Sequence, residues 1–261
     1  DPRQSEEPDN NGEDDSLYAR GGVEIGLGES VKLSLDAGYT ERDVSTDFVS
    51  FFLVIEQEYT IYSFLPAITY EKNGFIAVAG LDYYDDSVGG SNISTFPGFE
   101  GVTPFIYERE NLGGYLSAKI PLSENTNLSV SFRVEESETT GEFGGSSLNS
   151  TEEEQHAWSF GLNHILSDSA RLYGAVKRFY RYPATDELFV FGPPPSFNAD
   201  LEPEWGHEFE VGADWSFGDL TLGGRLYHQQ MHDEMVLNVF LGAVGENVNL
   251  DETSRWGADF G

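Results

Sequence analysis

Apolar and polar residues alternate with a period of two in segment after segment of this chain. Val31, Leu33, Leu35, Ala37 and Tyr39 interleave with Lys32, Ser34, Asp36, Gly38 and Thr40. Leu128, Val130, Phe132 and Val134 interleave with Ser129, Ser131, Arg133 and Glu135, and Leu220, Leu222, Gly224 and Leu226 with Thr221, Gly223, Arg225 and Tyr227. A strand points successive side chains to opposite faces, so each segment has one apolar and one polar face. From Trp205 to Phe217 the apolar face runs Trp205, His207, Phe209, Val211, Ala213, Trp215, Phe217. Large aromatics at both ends of an apolar stretch mark a strand that crosses two membrane interfaces.

The pattern predicts about eleven strands, near residues 17–27, 31–40, 59–71, 74–85, 104–120, 127–137, 156–166, 170–180, 204–217, 219–231 and 248–261. Five connections are tight and rich in turn formers: Gly28-Glu29-Ser30, Lys72-Asn73-Gly74, the stretch from Pro121 to Thr126, Ser167-Asp168-Ser169 and Phe217-Gly218-Asp219. Long polar loops, near 41–58, 86–103, 138–155, 181–203 and 232–247, alternate with them. Short turns on one rim and long loops on the other distinguish an antiparallel, up-and-down transmembrane β-barrel from a soluble sandwich. The expected fold class is therefore all-β. Charges of both signs lie on the polar faces, among them Arg20, Asp36, Arg133, Lys177, Glu208 and Arg225. A charge facing mid-bilayer costs roughly 2 to 4 kcal/mol on strand scales, so these line a wet lumen or touch an internal plug.

Composition excludes other classes. With 14 Lys and Arg against 46 Asp and Glu, the formal charge is -32. That argues against a nucleic-acid partner, whose binding depends on counterion release to basic side chains. The absence of cysteine removes disulfides, thiolate metal sites and thiol nucleophiles. No run approaches the roughly 20 apolar residues a membrane helix needs, and a barrel shows no hydropathy peak. Residues 1–16 are acidic and aperiodic, and are expected to be mobile.

The stretch Tyr180-Arg181-Tyr182-Pro183-Ala184-Thr185-Asp186-Glu187-Leu188-Phe189 is followed by Asn198-Ala199-Asp200-Leu201-Glu202-Pro203-Glu204, and then by Glu208 to Gly212. It resembles the TonB-dependent outer-membrane receptors. There a Phe-Arg-Ala-Pro box precedes Glu-Leu, a variable loop, an Asn-Pro-Asn-Leu-like box ending in Pro-Glu, and a strand with Glu-x-Gly. Each box departs from the family form at two positions, while order, spacing and Pro-Glu are kept. Gly245 to Asn249 and Ser254 to Gly257 look like the family's next hairpin. The matching positions are Arg181, Pro183, Glu187, Leu188, Asn198, Leu201, Pro203 and Glu204. The resemblance implies a 22-stranded barrel in the Gram-negative outer membrane, around a plug that contacts the TonB complex. Residues 17–261 would then be a partial barrel domain, an internal fragment of about 11 strands with nothing resembling a plug.

Candidate site residues have competing readings. His156, His164, His207, His228 and His232 suggest metal or haem ligation. His228 and His232, four apart on a strand, are more than about 10 Å apart and do not share an ion. No metal or other cofactor is therefore assigned, and His207 and His228 fit a membrane interface. Asp186 and Glu187 lack an adjacent nucleophile or His, so a solvated or salt-bridged loop explains them better than acid–base catalysis, and no enzyme activity is expected. Tyr83, Tyr84, Phe96, Phe99, Phe189, Phe191 and Phe197 lie in or beside the long loops. They serve either as aromatic surface for a chelate or glycan, or as loop-on-loop packing. The acidic loops fit poorly with a strongly anionic siderophore. Divalent cations could bridge them to lipopolysaccharide phosphates, although solubility alone also accounts for them.

The expected function is energy-coupled uptake of a scarce nutrient such as a ferric siderophore. The partners are outer-membrane lipid, lipopolysaccharide and the small-molecule nutrient. The alternative is a passive channel or structural barrel without a plug, and a soluble β-rich binding module is the third class.

Overall fold

A computed structural model of the chain describes residues 11–49, 52–148, 150–184, 187–190, 196–241 and 245–261. They form β1 (Asn11–Gly26), β2 (Val31–Phe48), β3 (Leu53–Lys72), β4 (Phe75–Ser94), β5 (Gly101–Ser123), β6 (Thr126–Phe143), β7 (Ser146–Ser147), β8 (Thr151–Ser167), β9 (Ala170–Arg181), β10 (Phe189–Val190), β11 (Ser196–Phe197), β12 (Glu204–Phe217), β13 (Leu220–Asn238) and β14 (Glu246–Phe260). Eleven long strands follow chain order in one antiparallel sheet, β1-β2-β3-β4-β5-β6-β8-β9-β12-β13-β14. The short β7 adds to β6, while β10 and β11 pair as a separate ribbon. The edge strands β1 and β14 each have one neighbour, so the sheet is open.

Register shows how the alternation builds two faces. One cross-strand row reads Val31, Tyr70, Ala77, Ala118, Val130, Phe160, Val176, Phe209, His228, Trp256. The adjacent row reads Lys32, Thr69, Val78, Ser117, Ser131, Ser159, Lys177, Glu208, Gln229, Arg255. A one-residue slip in any strand would exchange these sets, and that fixes the register. The apolar face leaves Phe64, Leu112, Leu116, Phe132, Val211 and Trp215 exposed. The polar face pairs its charges: Lys177 with Glu208 at 2.9 Å, Lys32 with Glu24 at 3.2 Å, and Arg225 with Glu210 at 3.1 Å and Asp259 at 2.6 Å. Arg133 bridges Asp82 and Glu135.

All five tight turns lie between the strands as expected. Asn73 and Gly74 both take positive φ, 52° and 79°, as a two-residue hairpin turn requires. At Pro66, which has no N–H to donate, the β3–β4 pairing skips from Phe64–Tyr83 to Ala67–Gly80.

Strand length differs from the sequence reading. Most of the residues expected in four of the long loops instead continue the strands, so the connections shrink to 49–52, 95–100, 144–150 and 239–245. The acidic segment expected to be mobile enters β1 at Asn11, and residues 11–16 pair with 42–47 of β2. Residues 1–10 lie outside the described residues.

Above the apolar band, the face that was apolar turns acidic. Tyr62, Asp85, Glu110, Glu138 and Glu152 form one row there. Pairing persists because backbone hydrogen bonds do not need an apolar face.

Candidate functional site

Only one connection on the long-loop rim keeps its predicted length. The chain leaves β9 at Arg181 and re-enters the sheet at Glu204. Pro183 and Pro203, both buried, bracket this loop, and neither has an N–H to continue a ladder. Behind Pro183 the backbone turns: Glu187 and Leu188 donate their N–H to the Ala184 carbonyl at 2.9 and 3.2 Å, while Glu187 Oε2 accepts from the Ala184 N–H at 2.7 Å. Near the other end Asn198 Oδ1 accepts from the Asp200 N–H at 3.3 Å, a side-chain-stabilised turn.

Three charged groups tie the ends. Arg181 donates through Nη1 to Glu187 at 2.6 Å and through Nε to Glu204 at 2.8 Å. Glu204 also accepts the Met235 N–H at 3.1 Å, which fixes the loop to β13. Burial alone would raise the Glu187 carboxyl, but the bonds from Arg181 and the Ala184 N–H, with the charges of Arg181 and Arg109, hold it below the usual carboxylate range.

Two asparagines on one face of β14 complete the latch. Asn247 donates to the Glu187 carbonyl at 2.9 Å and its own carbonyl accepts from Asn198 at 2.8 Å. Asn249 donates to the carbonyls of Glu202 and Asp233 at 2.8 and 2.7 Å and accepts from the Glu202 N–H at 2.9 Å. Beneath them Leu188 and Leu201, 1% and 2% exposed, pack with Met235. Phe197 touches this cluster and also a second one built on Phe105 and Tyr107 of β5. The loop therefore lies against the upper polar face. Arg109 Nη2 donates to the Pro183 carbonyl at 2.6 Å and its Nε to Thr139 at 2.9 Å, while the Tyr182 hydroxyl donates to the Glu135 carbonyl at 2.7 Å.

The structure thus brings Arg181, Pro183, Glu187, Leu188, Asn198, Leu201, Pro203 and Glu204 into one assembly. Asn247, Asn249, Arg109 and Tyr182 belong to it without having been singled out as site residues. The two asparagines carried a faint signal, being amides two apart on a strand and so on one face.

The aromatic candidates scatter. Tyr83 lies in the apolar-face row between Phe64 and Leu112, and its hydroxyl reaches Glu110 at 3.4 Å. Tyr84 occupies the polar face between Ser63 and Asn111. Phe96 and Phe99 sit at the tip of the β4–β5 connection and form a cluster with Phe52, with centroids 5.4 Å and 5.9 Å apart. Phe99 is 77% exposed. Phe197 is packed as above, the Phe189 backbone pairs with Phe197, and Phe191 and Asp186 lie outside the described residues. Of the histidines, His232 stacks on Trp205 at 4.2 Å and His228 on Trp256 at 4.1 Å, while His207 meets Trp158 and Trp205. His164 shares a hydrogen bond with Thr126. Among the described residues no group of three or more His, Cys, Asp or Glu is arranged to hold a metal ion.

Compared with known proteins, the whole chain, residues 1–261, matches the family model described as TonB dependent receptor-like, beta-barrel. The chain belongs to the TonB-dependent receptor β-barrel family. Solved structures share the fold at low identity. The copper transporter OprC superposes with a TM-score of 0.80 at 16% identity, over 96% of this chain and 44% of that one. The unliganded ferric citrate transporter FecA gives 0.75 at 15%, over 94% and 38%. The siderophore receptor PiuA from Acinetobacter baumannii gives 0.74 at 12%, over 97% and 44%. The TonB-dependent chain thus spans less than half the length of these structures. Among curated proteins none matches.

Proposed function

We propose that this chain is part of an outer-membrane receptor that takes up a scarce, chelated nutrient by an energy-coupled route. The observation that carries this is the two-faced sheet: an exposed apolar row beside a row of serines and paired charges, in a chain of the receptor family. The apolar face meets outer-membrane lipid and lipopolysaccharide, because only a closed barrel satisfies every backbone group there. The polar face lines a lumen, and the open edges at β1 and β14 pair with further strands of a larger barrel. The sheet from Asn11 of β1 to Phe260 of β14 forms that barrel segment, and a plug contributed elsewhere in the protein contacts the TonB complex. Neighbours named as siderophore, ferric citrate and copper proteins favour a metal chelate as cargo.

Within this reading the box residues Arg181, Pro183, Glu187, Leu188, Asn198, Leu201, Pro203 and Glu204 are architectural, holding the loop against the mouth. Phe96 and Phe99 offer the exposed aromatic surface. The test is uptake of a labelled metal chelate by cells carrying the complete gene, with and without TonB. Saturable entry that disappears without TonB is expected. Entry that is linear in concentration and equal in both strains would favour the passive channel.

A further inference from the structure

We propose that Tyr84, Asp86 and Asn111, on the polar face of β4 and β5 above the apolar band, bind a cationic, hydrogen-bond-donating solute. This rests on the uptake reading and names the class of its cargo. Tyr84 and Asn111 are direct cross-strand partners, and Asp86 is the next residue on the same face of β4. Side chains so placed project from one face within about 8 Å of each other, close enough to contact a single small solute.

Two of them have buried oxygens without a hydrogen-bond donor, Asp86 Oδ1 and Asn111 Oδ1. A buried acceptor left unpaired is costly, so the pair favours a partner rich in N–H or O–H donors. Arg109 stands directly across from Asp86, yet its guanidinium donates to Thr139 and to the Pro183 carbonyl.

The surroundings select the same sign. In residues 41–58, 85–110, 135–154, 181–204 and 232–252 the basic side chains are Arg42, Arg109 and Arg181, and residues 135–154 contain seven carboxylates and no Lys or Arg. Each of the three arginines is engaged within the protein: Arg42 with Asp14, Arg181 with Glu187 and Glu204, and Arg109 as above. Their remaining field is strongly negative, which concentrates cations and repels anions at the mouth. The Tyr84 ring adds a face suited to a cation.

The experiment compares hexaamminecobalt(III), a compact cation covered with N–H donors, with hexacyanoferrate(III), an anion of similar shape carrying only acceptors. Titration calorimetry on the full-length protein in detergent is expected to give saturable binding of the cation alone. Asp86→Asn should weaken it about tenfold or more, the usual size of one lost charge-assisted contact. Glu142→Gln, which removes the same charge from an exposed position, should change it less than twofold. Asn111→Asp should tighten it, which keeps the proposal testable if Asp86→Asn fails to fold. Equal effects of Asp86→Asn and Glu142→Gln, or hexacyanoferrate binding as tight as that of the cation, would overturn the proposal. TonB-dependent entry of an anionic chelate together with absent cation binding would overturn the cargo class and leave the transporter standing. A protein absent from the outer membrane would overturn the transporter reading itself.

Discussion

Arg181 and Glu204 are direct cross-strand partners and form an ion pair at 2.8 Å, so the last residue before the 182–203 loop grips the first residue after it. The same guanidinium holds Glu187 inside the loop. One side chain therefore closes the loop at its base and anchors it partway along.

Arg181→Ala should free the loop without opening the sheet. Arg181 is 44% exposed and its partners less so, so the loss is expected at about 1 kcal/mol, near the top of the exposed-pair range. Hydrogen exchange is the measurement. The Asn198 N–H, which donates to the Leu188 carbonyl at 2.7 Å, should exchange several-fold faster, while strand amides of β9 and β12 should not change.

Acid should have the same effect reversibly. The Glu187 carboxyl titrates below its unfolded value of about 4.3. Its contribution to docking is therefore fully present above about pH 4.3 and is lost as pH falls through the folded value. Limited proteolysis of the loop should accelerate between pH 5 and pH 3, and Glu187→Gln should be fast at both. A cleavage rate that is flat across that window in the unsubstituted protein would remove Glu187 from the latch.

Packing should outweigh charge. Leu188 and Leu201 are almost fully buried, and truncating either to Ala is expected to cost about 2 to 5 kcal/mol of loop docking. Phe240→Ser, at a position 92% exposed, should cost almost nothing. Urea-dependent proteolysis of the loop separates the two outcomes.

The sequence showed all eleven long strands because each carries an apolar face across the band. It hid their upper ends, since beyond Asp85 or Glu136 both faces are polar and the period of two in hydropathy fades while pairing continues to Ser94 and Phe143. The box at Arg181 to Glu204 was legible through its family form. Its partners were not, because Asn247 lies 60 residues from Glu187 and Arg109 lies 74 from Pro183. Such contacts depend on how strands are ordered in space, which local spacing does not encode.

Neighbouring strands also set like charges face to face. Glu136 pairs directly with Glu154 and Glu138 with Glu152, all four exposed, with Glu110 opposite Glu138 on the other side. Directly opposed like charges destabilise a sheet by roughly 0.2 to 1 kcal/mol a pair. Replacing the central one, Glu138→Gln, should relieve two contacts at once and raise thermal stability in low salt. The gain should shrink in 0.5 M salt, where the screening length falls to about 4 Å. Magnesium should give a similar gain to the unsubstituted protein and less to the variant, because hard divalent cations favour paired carboxylates. A stability change from Glu138→Gln that is the same at both salt concentrations would mean that packing, not charge repulsion, sets the effect.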